Sequence, residues 1–144
     1  MRLSLPQPFE DLGHTADLGI RVRADGAEEA LARLALALGT LLTGGDAPPP
    51  DREERVEVAG GPDLAGTAVA LLRELLFRFA TSRVVPAQVE VHRADAAGAA
   101  ATVGFARYDP VRHAEGVDVK AVTWNAARLA PEAGRWVAQV ILDT

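Results

Sequence analysis

Two leucine stripes at helical spacing, set among runs whose apolar residues recur at every second position, constrain this chain more than any other feature. Leu31, Leu34, Leu38, Leu41 and Leu42 form the first stripe; Ala68, Leu71, Leu72, Leu75, Leu76 and Phe79 form the second. Each gives a helix one apolar face that must be covered by another element. Asp25, three residues ahead of Glu28, reads as an N-cap with a reciprocal acidic partner, and Asp63 reads as the cap of the second helix. The first helix should stop near Thr43-Gly44-Gly45, before the extended connector Pro48-Pro49-Pro50. Pro86 should bound the second helical unit.

Period-two runs supply the sheet. From Asp17 to Arg23, Leu18, Ile20 and Val22 fall on one side and Asp17, Gly19, Arg21 and Arg23 on the other. Arg55 to Ala59 and Ala87 to His92 alternate in the same way, and Phe9 to Leu12 reads as a short extended piece. The stretch Asp95 to Ala100 reads as a turn or loose loop. Three further runs, Ala101 to Tyr108, Val117 to Trp124 and Trp136 to Leu142, are separated by short links and predict an antiparallel meander. The expected fold is therefore α+β: one two-layer domain over residues 1–144, with both helices on one face of a mostly antiparallel or mixed sheet.

Composition narrows the function. A chain of 144 residues that is 49% apolar can bury one core without staples. The absence of cysteine excludes disulfides and thiolate metal sites, so a metal here would need oxygen or imidazole ligands. No apolar run approaches a membrane span, and the opening residues are too short a run for a signal peptide, so the expected location is the cytoplasm. A net charge of -5 argues against strong direct nucleic-acid binding, although a local basic patch is compatible with it. No P-loop, dinucleotide fingerprint, nucleophile elbow or zinc-protease helix is present.

Three clusters merit weighing for chemistry. His14-Thr15-Ala16-Asp17 opens the first clear strand, where a carboxylate beside a histidine could hold a hard cation. Spacing alone favours the plainer reading, in which His14 and Asp17 bond to nearby amides and shape the turn. Asp143-Thr144 ends the last apolar run, and the carboxylate expected on Thr144 would lie beside that of Asp143. Such like charges repel unless a cation or an arginine neutralises them, though a solvated tail is the common outcome. Asp118 and Lys120, two apart in Val117 to Trp124, share a face opposite Val117, Val119 and Ala121. That pairing fits an ordinary exposed ion pair or, less commonly, a partner surface. His92 and His113 are expected on polar faces or loops without a chemical role, and neither leucine stripe gives reason to expect a groove.

The same residues carry a resemblance. His14 to Ile20 resembles the N-terminal signature of archeases, and His113 to Thr123 resembles their second signature. Val140 to Thr144 is similar to the family's terminal strand with its acidic residue, and Leu71 to Phe77 resembles the matching helix. The motifs occur in family order from about Phe9 to Thr144. Asn125 stands where many members have His, and Ala80-Thr81-Ser82 stands where an acidic residue often follows the helix; both bear on details of a partner surface.

The resemblance implies a non-enzymatic activator of the GTP-dependent RtcB-type RNA ligase of tRNA splicing. Such proteins promote ligase guanylylation, support multiple turnover and broaden nucleotide use. It also implies a divalent metal, with calcium expected, held by Asp17, Asp143 and a main-chain oxygen of Thr144. His14, Asp118 and Lys120 would belong to the motif or partner surface. A chaperone-like modulator of a tRNA-modifying methyltransferase is the alternative role, and a small metal-dependent hydrolase is disfavoured because two carboxylates lack an evident base.

Overall fold

In the computed structural model, which describes residues 1–12, 17–46 and 48–144, the chain runs through β1 (Leu3–Ser4), β2 (Glu10–Asp11), β3 (Asp17–Ala24), α1 (Ala27–Thr43), β4 (Arg52–Ala59), α2 (Leu64–Ser82), β5 (Val84–Asp95), β6 (Gly98–Arg107), β7 (Ala121–Glu132) and β8 (Arg135–Asp143). The strands form two four-stranded antiparallel sheets, ordered β1-β5-β6-β4 and β2-β3-β8-β7. Both helices pack against both sheets. One core cluster joins Leu34 and Leu38 of α1, Leu72 and Leu75 of α2, Val89 and Val103 of the first sheet, and Ile20 and Val140 of the second. The α+β class with antiparallel sheets holds. No helix among the described residues is long and apolar enough to cross a membrane.

Both leucine stripes face this core. Leu31, Leu34, Leu38 and Leu42 of α1 are buried, as are Leu71, Leu72, Leu75 and Leu76 of α2. Asp63 caps α2, its Oδ1 accepting from the Gly66 N–H at 3.0 Å. The start of α1 differs from expectation. Its N-cap is Gly26, and the carboxylate that reaches back belongs to Glu29, which accepts from the Asp25 N–H at 2.8 Å. Asp25 thus lies one residue outside the cap and is bonded through its backbone. The helix ends as expected, at Gly44, whose φ of 72° is left-handed.

Three further differences have local causes. Pro86 does not bound α2 but lies inside β5, opposite Phe105. The short β1 pairs only with Gln88 and Val89, so no neighbouring strand needs an N–H from Pro86 on that edge. The stretch from Asp95 to Ala100 is the tip of the β5–β6 hairpin, where Asp95 Oδ1 accepts from Ala97 and Gly98 N–H at 2.9 and 3.1 Å. The expected meander is split. β6 pairs with β4 and β5, whereas β7 and β8 form a hairpin in the other sheet. The segment between Tyr108 and Lys120 carries the chain from one sheet to the other.

Candidate functional site

The second sheet brings the start of β3 and the end of β8 together. β3 runs antiparallel to β8 without a register shift, and its first residue, Asp17, is the direct partner of Asp143 at the end of β8. Directly opposed residues place their Cβ atoms about 4.5–5.5 Å apart, close enough for like charges to repel. Neither carboxylate makes an ion pair with the described residues. Asp143 and Thr144 are both exposed. His14, expected beside Asp17, lies outside the described residues.

Gly19 allows the chain before β3 to fold back over this end of the sheet. A Cβ there would meet Leu12 Cβ at 2.8 Å and Ile141 Cδ1 at 3.0 Å. Leu12 occupies that space, and its N–H donates to the Gly19 carbonyl at 2.8 Å. Ile141, on the side of β8 away from the helices, is buried as a result.

The second motif arrives on the other flank of β8. Ala121 is the register partner of Asp143, and the Lys120 N–H donates to the Asp143 carbonyl at 2.8 Å. Asp118 and Lys120 are exposed while Val119 between them is buried, as the alternation predicts. Yet Val117 to Lys120 is not a strand. The Val117 N–H bonds to Leu41 at the end of α1, and regular pairing begins only at Ala121. The structure thus assembles Asp17, Asp143 and Lys120 at one sheet end, with Asp118 on the segment leading into it.

His113 departs from the expectation of a residue on a polar surface. It lies in the turn before Gly116, but its side chain is fully buried. The Asp109 N–H donates to Nδ1 at 3.0 Å, which fixes Nδ1 as acceptor and leaves the Nε2 proton for Asp46 Oδ2 at 3.1 Å. Arg112 also grips Asp46. Desolvation works against ionisation of Asp46, but bonds from Arg112 and His113 and the charge of Arg112 outweigh it and hold the carboxyl below its usual range. The turn leading to Asp118 and Lys120 is therefore anchored to the end of α1. His92 is exposed, with Nε2 2.7 Å from Thr102 Oγ1.

Beside Lys120 lies a cleft of about 310 Å³ lined by Arg73, Leu76, Phe77, Ala80, Ala121 and Val122. Phe77 is 59% exposed and Trp124 50% exposed. Arg73 donates from Nε to the Val122 carbonyl at 3.0 Å and places its guanidinium 5.6 Å from the Trp124 ring centre. The leucine stripe gave no reason to expect this groove. The available signal was Phe77, a large aromatic out of phase with Leu71, Leu72, Leu75 and Leu76.

Residues 9–144 match the family model described as the Archease protein family (MTH1598/TM1083). An archease of Methanopyrus kandleri is 37% identical over 139 residues, covering 94% of this chain and 99% of that protein. One of Methanosarcina mazei is 32% identical, covering 94% of each. Among solved structures, the solution structure of Methanobacterium thermoautotrophicum protein 1598 superposes with a TM-score of 0.67 at 28% identity, covering 94% of this chain and 98% of that one. A Thermotoga maritima crystal structure described as an archease, possible chaperone, matches in fold with a TM-score of 0.60 at 14% identity, covering 94% and 96%. By sequence over nearly its whole length, this chain belongs to the archease family.

Proposed function

We propose that this chain, working as a single domain in the cytoplasm, is a non-enzymatic activator of a GTP-dependent RtcB-type RNA ligase in tRNA splicing. In this reading it promotes guanylylation of the ligase, supports its turnover and widens its nucleotide use. Family membership supports the reading, and the register pairing of Asp17 with Asp143 beside Lys120 carries it.

The donor chemistry at that pair suits a hard divalent cation such as calcium, because every ligand would be oxygen. Among the described residues there is no group of three or more His, Cys, Asp or Glu side chains that could hold a metal. Carboxylates of Asp17 and Asp143 would therefore be supplemented by a main-chain oxygen of Thr144 and by water. A bound cation would offset the repulsion of the two carboxylates. The residues of this chain then do three things: the carboxylates tie β3 to β8, Lys120 presents an ammonium group beside them, and Asp118 adds a carboxylate on the approach. The exposed rings of Phe77 and Trp124 supply apolar area for a protein partner next to that charged end.

The test is guanylate transfer to a purified ligase with and without this protein. Stimulation should appear at substoichiometric amounts and vanish with Asp17→Ala or Asp143→Ala while the fold survives. Unchanged stimulation by both variants overturns the reading. The archease resemblance also implies a second role, assistance to a tRNA-modifying methyltransferase. Stimulation of methyl transfer with no effect on the ligase would select it.

A further inference from the structure

The net negative charge of the molecule conceals an arginine-rich hollow beside β3. Arg21 and Arg23 of β3, Arg33 of α1 and Arg135 at the start of β8 all line a cavity of about 310 Å³, with Phe9 and Glu10 on its N-terminal wall. Glu10 is the one carboxylate in the lining, and each of the four guanidinium groups has a carboxylate within 3.6 Å. Glu10 is shared between Arg21 at 3.5 Å and Arg23 at 3.4 Å. The other acidic partners lie outside the lining: Glu29 at 3.6 Å from Arg33, Glu132 at 3.5 Å from Arg23, and Asp25 at 3.5 Å from Arg135, while Arg21 Nε donates to Gln139 Oε1 at 2.8 Å. Pairs elsewhere in the protein are tighter, as in Arg2 with Glu53 at 2.8 Å. Arg33 Nε is buried and has no hydrogen-bond partner among the described residues.

Each guanidinium presents five N–H donors in a planar fork, and few of these twenty or so donors are used by the contacts above. Converging cations repel unless an anion joins them, and arginine forks match the oxygens of phosphate in bidentate fashion. We infer that this hollow, bounded by β3, α1 and the start of β8, is a binding site for the phosphate groups of a small polyphosphate ligand. Arg21, Arg23, Arg33 and Arg135 supply charge and forks, and the half-buried Phe9 ring offers a flat wall on which a base can stack. The cavity volume falls at the lower end of small-ligand pockets. None of these residues belongs to the Asp17–Asp143 end of the sheet, so the inference does not rest on the ligase reading.

Calorimetric titration with pyrophosphate, and separately with ATP, tests it. One-site saturable binding is expected. Arg33→Ala and Arg135→Ala should each weaken it at least about tenfold, in line with loss of a charge-assisted contact. Arg55→Ala, on β4 and paired with Glu57, should leave it unchanged. Arg135 is half exposed at a turn, so its variant tests the site without straining the core. Tighter binding of ATP that Phe9→Ala removes assigns a nucleotide, and equal affinities assign an inorganic polyphosphate. No saturable binding, or equal losses in the Arg55 and Arg135 variants, overturns the site.

Discussion

The backbone N–H of Lys120 donates to the carbonyl oxygen of Asp143, while Asp143 faces Asp17 across the neighbouring strand pair. The only lysine is therefore held in place by the same residue whose side chain is opposed by a like charge. Charge at this sheet end and the position of Lys120 are coupled through one residue.

That coupling gives a metal-dependent prediction. With divalent ions removed, Asp17→Asn or Asp143→Asn should melt at or slightly above the parent, since opposed like charges cost about 0.2–1 kcal/mol. Calcium at a hundredfold excess over its Kd should stabilise the parent by about 2.7 kcal/mol and the variants not at all. Thermal melts with EDTA and with calcium make the comparison. Equal calcium-induced shifts in all three proteins would place the ion elsewhere.

His113→Ala should destabilise the fold by about 2–4 kcal/mol, combining a vacated buried ring with an Asp109 N–H left without its acceptor. The ring also packs 5.4 Å from that of Tyr108. Urea denaturation measures the loss. Because this turn leads to Asp118 and Lys120, proteolysis between Asp109 and Lys120 should also quicken in the variant.

Asp46 sets an acid dependence with a definite sign. Its folded-state pKa lies below the ordinary value of 3.8, so its contribution is complete above that value and is lost as pH falls through the lower, folded value. Asp46→Asn should thus be less stable than the parent at neutral pH, with the gap closing on acidification below about pH 4. Asp95, bonded by Arg93, and Glu132, bonded by Arg128, are lowered in the same direction and act equally in both proteins. Melting temperature against pH for the two proteins makes the test. A gap that stays constant to pH 2 would contradict it.

The helices and most strands were legible because a stripe of leucines or an alternation of valines records burial directly. Burial alone does not record hydrogen bonding. Val117 to Lys120 alternates between core and solvent like a strand, yet its amides bond to Leu41 and Asp143 from outside any regular ladder. The alanines from Ala99 to Ala101 are buried in β6, but a side chain that small carries no period, so a strand read as a loop. The split into two sheets was hidden for a related reason: short links predict neighbours, and the Tyr108–Lys120 segment is longer and anchored by a histidine whose partner, Asp46, is remote in sequence. At the candidate site, the motif residues were identified before their arrangement. The opposition of Asp17 to Asp143 follows from register, which single-sequence periodicity leaves open. Arg33 and Arg135 likewise look like ordinary surface charges until the fold brings them to one cavity.

Gly19 is required by space. Its backbone passes so close to Leu12 that a methyl group would displace that side chain or Ile141. Gly19→Ala should cost about 1–3 kcal/mol as an overpacked contact. It should also raise amide exchange at Leu12, whose N–H bonds to the Gly19 carbonyl. Unaltered stability and exchange would show that the N-terminal segment yields freely.

Phe77 separates a surface role from a structural one. Its ring is more exposed than buried and lies off the stripe that packs α2 against the core. Phe77→Ser should therefore change folding stability by no more than about 0.5 kcal/mol. If the cleft beside Lys120 receives the ligase, the same change should raise the concentration needed for half-maximal guanylylation about tenfold or more, as loss of an aromatic anchor does. Leu72→Ala gives the opposite pattern: a loss of about 2–5 kcal/mol from the core, with no change in that concentration while the protein remains folded. An unaltered half-maximal concentration in Phe77→Ser would move the contact surface away from α2, leaving the Asp17–Asp143 end as the remaining point of engagement.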